Sequence, residues 1–157
     1  MKKALLITSL LAAVMLVGVT QATAQKQITV TVTVPSVLSV ELDTDAWPIG
    51  ELALGDTATS TSITATNNGN VAETFTIESG GSTNWACGTV GSETFAMEAQ
   101  GGDLTSYTSI CSETTLETPV AIGAGVSFTL QFTAPTATAY VDTEQTITVT
   151  VTAAATT

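Results

Sequence analysis

The strongest constraint on this chain is a strict alternation of apolar and polar residues, repeated in several separate runs. Only a strand with one covered face turns every second side chain toward a core. Over residues 27–34 the pattern has no fault: Ile28, Val30, Val32 and Val34 point one way, Thr29, Thr31 and Thr33 the other. Pro35 breaks this ladder, and Leu38, Val40 and Leu42 then oppose Ser39 and Glu41. Val126, Phe128, Leu130 and Phe132 form the bulkiest such row, which predicts a central strand. A last strand is predicted over residues 145–152, where Ile147, Val149 and Val151 oppose Thr146, Thr148, Thr150 and Thr152. In character it is a near copy of the first.

Turn signals separate these runs. The stretch from Trp47-Pro48-Ile49-Gly50 to Gly55-Asp56-Thr57 reads as a crossing between strands, with Trp47 plugging the core. Residues 61–66 and 71–78 flank Asn67-Asn68-Gly69-Asn70, and this predicts a hairpin of antiparallel neighbours, because Asn-Gly suits left-handed turn positions. Outside the first two dozen residues no run has helical spacing. Seven to nine short antiparallel strands in one domain over residues 25–157 predict an all-β, immunoglobulin-like β-sandwich. A β-solenoid would need a fixed repeat period, and the chain has none.

Residues 1–24 read as a cleaved secretory signal peptide. Lys2 and Lys3 precede an apolar stretch from Ala4 to Val19, and Ala22-Thr23-Ala24 has the small-x-small pattern of a cleavage site. The stretch is interrupted by Thr8 and Ser9 and falls short of the roughly 20 residues that a bilayer core needs. The expectation is a secreted protein at the cell surface, with no membrane insertion of the mature chain.

Without the leader, Lys26 alone stands against 14 carboxylates, a net charge of 1 − 14 = −13. Such acidity disfavours nucleic acid and anionic lipid as partners. The carboxylates are scattered singly and read as a solvated surface. A lesser reading is weak calcium binding, either at Glu41, Asp43 and Asp45 or at Asp142 and Glu144. Cys87 and Cys111 allow one intramolecular pairing, and in an exported chain a disulfide is expected between them. The chain has no His and no Arg, which removes imidazole-based nucleophile activation, imidazole metal sites and bidentate anion clamps. No catalytic residue and no cofactor is expected.

The order of an alternating Thr/Val strand, a Pro break, Trp47-Pro48-Ile49-Gly50-Glu51-Leu52, Gly55-Asp56-Thr57 and Thr64-Ala65-Thr66-Asn67-Asn68-Gly69-Asn70 resembles small secreted β-sandwich surface proteins. Those include the TasA/camelysin-type fibre subunits and the spore-coat-U-type pilus subunits. The resemblance covers about the first half of the mature chain, and the coat-U pattern's early cysteine is replaced here by the Val37-Leu38 region. It implies an extracellular assembly subunit whose strands complete a neighbour's sheet.

The leading expectation is thus a non-enzymatic fibre, pilus or coat subunit that binds itself or other surface proteins. Ile28, Val30, Val32 and Val34 would form its assembly strand, either paired within the same domain or donated to a neighbour. Ile147, Val149 and Val151 would form the sheet edge or groove beside it. An adhesive or carbohydrate-binding module is the alternative, with Trp47, Trp85 and Tyr107 as an aromatic platform. A third reading is an ice-binding array of Thr.

Overall fold

The computed structural model describes residues 26–156, so the predicted leader lies outside the described residues. Ten strands and no helix are present among them: β1 (Val40–Leu42), β2 (Thr57–Thr59), β3 (Ile63–Asn67), β4 (Glu73–Ser79), β5 (Ala86–Cys87), β6 (Thr94–Gly101), β7 (Leu104–Ser109), β8 (Thr114–Val120), β9 (Gly125–Thr133) and β10 (Val149–Ala155). Seven of them form one sheet in the order β1-β3-β9-β6-β5, with β2 also on β9 and β7 also on β6. The other three form a second sheet, β10-β4-β8. All pairings are antiparallel except β5 with β6. The result is a β-sandwich, with ten strands where seven to nine were expected. Strands β2 and β5, of three and two residues, are too short to leave a periodic signature, whereas β1 lies within the alternating run from Leu38 to Leu42.

The core is made by the alternating rows. Val126, Phe128, Leu130 and Phe132 of β9 are all buried, and β9 pairs with β2, β3 and β6, so the bulkiest row does lie on the most central strand. Phe95 of β6 meets Phe132 with ring centroids 5.4 Å apart. From the second sheet, Phe75, Ile77 and Leu116 fill the space opposite, all at 0 % exposure.

The predicted hairpin around Asn67-Asn68-Gly69-Asn70 is not one. Strand β3 pairs with β1 and β9, whereas β4 pairs with β10 and β8, so the two strands face each other across the core. The segment between them is an arch that carries the chain from one sheet to the other. Its hinge is Asn67, fully buried, whose Nδ2 donates to the carbonyls of Val71 (2.9 Å) and Val120 (3.0 Å) while its Oδ1 accepts from Gly69 N (2.8 Å). Gly69 does not take a left-handed conformation. It serves close approach, because a Cβ there would overlap Glu73 Oε1 and the carbonyl oxygen of Val37.

The last strand also differs from expectation. It begins at Val149 and runs to Ala155, because its partner β4 sets its extent, with Val149 opposite Ser79 and Ala155 opposite Glu73. The region between the cysteines holds the β6–β7 hairpin, with Gly101 and Gly102 at positive φ in its turn. The Cys87–Cys111 disulfide is present, with its Cα atoms 5.3 Å apart.

Candidate assembly site

Residues 26–39 carry no ladder pairing, although residues 27–34 have the most regular strand pattern in the chain. The chain divides into two units between Thr33 and Val34, and the described part of the first is the ribbon of residues 26–33. Ile28 is 90 % exposed, Val30 82 %, Val32 80 % and Val34 75 %. The apolar residues of the expected first strand are therefore exposed and carry no ladder. Alternation makes a segment competent for a sheet, but an edge must supply the other half of the hydrogen bonds. Both expected outcomes, pairing within the same domain and donation to a neighbour, require such an edge.

The second predicted element lies where a free edge exists. Strand β10 is the outer strand of the three-stranded sheet and, among the described residues, pairs only with β4. Val149, Val151 and Ala153 point inward and pack on the core, as does Ile147 just before the strand, yet all four remain only half-buried. Strand β1, the outer strand of the other sheet, neighbours β10. Its row is similarly incomplete, with Val40 half-buried, Leu38 43 % exposed and Leu42 36 % exposed. An apolar seam is thus left open along the side of the sandwich where β1 and β10 meet. Val, Thr and Ala make up all of β10, and neither Lys nor Pro interrupts it.

Ribbon and edge share one sequence. Ile-Thr-Val-Thr-Val-Thr occurs at residues 28–33 and again at residues 147–152. In the second copy the Val side chains face the core and the Thr side chains face water. The first copy would continue both rows if laid against β10.

The root of the ribbon is held firmly. Asn70 brackets it, with Oδ1 accepting from Val37 N (2.7 Å), Nδ2 donating to Pro35 O (3.0 Å) and its own N–H donating to Val37 O (3.0 Å). Asn68 N donates to Ser39 O (2.9 Å), and Ser39 N donates to Glu73 Oε1 (2.8 Å). The arch residues were missed as a functional group in the sequence. Their visible signal is Glu73 itself, a charged residue standing on the same row as Phe75 and Ile77.

The other predicted residues separate. Trp47 is half-buried against the core beside Asp43, Ser60 and Ile63. Trp85, also half-buried, lines a different depression near the disulfide and donates from Nε1 to Thr138 Oγ1 (3.0 Å). Tyr107 lies on β7 with its hydroxyl against Thr129 Oγ1 (3.2 Å). Trp47 and Trp85 line different depressions, and Tyr107 lines neither of these. Of the carboxylates considered for calcium, Asp43 accepts from Thr64 N (2.9 Å) and Glu41 from Asn68 Nδ2. Among the described residues no three His, Cys, Asp or Glu side chains cluster as a metal site. The chain matches no family model, no curated protein and no solved structure.

Proposed function

We propose that this chain is a secreted, non-enzymatic structural subunit of the cell surface that assembles with copies of itself by donating residues 27–34 to the open seam beside β10. One observation carries the reading: the most strand-competent segment is uncovered while an apolar seam of matching row pattern stands open on the same chain. Burying Ile28, Val30, Val32 and Val34 is worth about 1.5–3 kcal/mol each, hence roughly 6–12 kcal/mol together as an upper estimate. Laid against the free edge of β10, the ribbon also gains a ladder of main-chain hydrogen bonds, which is β-augmentation. A second copy is the natural occupant because the donor of one copy has the sequence of the acceptor edge of the next. Donor and acceptor sit on different parts of the chain, so the contact is head-to-tail and propagates unless a ring closes.

The leader-like residues 1–24 support export, and the acidic, Thr-rich surface supports solubility outside the cell. The separate placement of Trp47, Trp85 and Tyr107 weighs against an aromatic glycan platform. Negative-stain electron microscopy and gel electrophoresis in dodecyl sulfate of the processed protein test the reading. Filaments or detergent-resistant ladders are expected, and both should vanish when residues 26–34 are deleted. A protein that stays monomeric at high concentration would refute it.

A further inference from the structure

We propose that the donated ribbon seats with one polarity, parallel to β10 of the acceptor copy, because Lys26 at its leading end pairs with the acidic end of the open seam. This inference rests on the donation reading and adds to it the direction of the strand. Side-chain faces do not choose that direction, since the alternating row of Ile28, Val30 and Val32 can be laid inward along β10 either way. Charge does choose. Lys26 is the one basic side chain among the described residues; it is exposed, and it stands two residues before Ile28.

The two ends of the seam differ in charge. At the arch end β1 begins, with Val40 opposite Asn67, and β10 finishes, with Ala155 opposite Glu73. Residues 68–72 and 153–156 carry no charge there, Glu73 is buried, and Glu41 is engaged by Asn68 Nδ2. At the other end β1 finishes and β10 begins: Asp43 N donates to Thr64 O (3.1 Å), and Gly80 N donates to Thr148 O (2.9 Å). Ser82 Oγ donates to Gln145 Oε1 (2.7 Å), so the chain ahead of β10 continues away from the arch. Asp43, Asp45, Asp142 and Glu144 flank this end, all of them exposed. Aligned in the same direction, the two hexapeptides bring Lys26 beside Gln145 and next to Glu144. Reversed, the ribbon carries Lys26 to the Ala155 end, roughly 30 Å away along the strand and about three screening lengths at 0.1 M salt. An exposed ion pair adds little to affinity, but it decides between two seatings that bury the same apolar row, and it steers the encounter.

Paired cysteines on the Thr rows read the direction. Thr29→Cys with Thr148→Cys should give cystine-linked oligomers on non-reducing gels, while Thr33→Cys with Thr148→Cys, which fits the reversed register, should give at least about tenfold fewer. The opposite ranking, with polymers intact, would overturn the polarity and leave donation standing. A cystine closed within one chain, or no cross-link in either variant, would overturn donation and the polarity with it. The charge is read separately. Lys26→Glu should raise the concentration at which polymers appear about fivefold in roughly 50 mM salt, and less than about twofold in roughly 1 M salt. Adding Glu144→Lys to that chain should restore assembly. Glu113→Lys makes the same change of charge just before β8, on the opposite edge of the sheet, and should not. Equal rescue by both would mean that net charge alone acts, and would overturn the pairing of Lys26 with the acidic end.

Discussion

Two segments of this molecule carry the same six residues and meet different fates. Ile-Thr-Val-Thr-Val-Thr at residues 147–152 runs into β10, where Val149 and Val151 pack on the core and the backbone pairs with β4. The same residues at 28–33 have no ladder, and Ile28, Val30 and Val32 are at least 80 % exposed. Local propensity is identical, so it cannot be the cause of the difference. What differs is the pairing: β4 supplies an edge to the C-terminal copy, and the N-terminal copy carries no ladder. Strand formation depends on a partner edge and not on local pattern alone.

The largest expected effect sets the two copies directly against each other. Val151→Asp places a charge on the half-buried inner row and should cost about 3 kcal/mol or more of monomer stability. Val32→Asp, the equivalent change in the ribbon, should leave the monomer within about 0.5 kcal/mol of wild type while abolishing assembly. Urea unfolding of dilute protein measures both. Equal losses would show that the ribbon is covered within its own domain, and would break the contrast.

Next comes the brace on the covered region. Replacing Cys87 and Cys111 by Ser opens a loop with a sequence separation of 24 and should lower stability by about 3 kcal/mol. Polymers should still form wherever the sandwich remains folded, because Cys87 on β5 and Cys111 beyond β7 belong neither to residues 27–34 nor to β10. Gly69→Ala is expected to cost less, about 1–3 kcal/mol, since its Cβ would press on Glu73 and on the backbone of Val37. It probes the bracket between the two copies: the ribbon's root should loosen, visible as faster amide exchange at Val37 and Ser39, while β10 keeps its protection.

Much of the architecture was legible from period two alone. The central β9, the inward rows of Phe128 and Ile77 and the single disulfide follow from alternation and cysteine count. Pairing was far less legible, and the arch shows why. Ile63 and Ala65 on one side, and Phe75 and Ile77 on the other, are apolar rows that fit either a hairpin or two facing strands. Asn67-Asn68-Gly69-Asn70 suggested the former. The deciding interactions are buried and long in range, above all Asn67 Nδ2 to Val120 O across 53 residues. No local pattern records such a bond. The β6–β7 hairpin and β8 were overlooked for a different reason: Thr, Ser and Glu occupy much of their outward faces, which leaves short apolar rows. The site was half legible, since the ribbon and the edge were both visible in sequence while the bracket formed by Asn70, Asn68 and Glu73 was not.

The smallest effect is the most discriminating. Val32→Ala removes two methyl groups from a side chain that is 80 % exposed in the single chain, so dilute monomer should unfold at the same urea concentration as wild type. In a polymer that side chain would be covered by the half-buried row of Val149 and Val151. Losing roughly 1–1.5 kcal/mol of burial per contact should then raise the concentration at which polymers appear by about tenfold. Val151→Ala reverses the order, with a loss of about 1–2 kcal/mol in the monomer and a weaker effect on assembly. Sedimentation across a concentration series reads the assembly threshold, and urea midpoints read the monomer. If Val32→Ala moves neither, the ribbon's apolar row faces nothing in the assembled state, and the shared hexapeptide has no structural meaning at the N-terminal end.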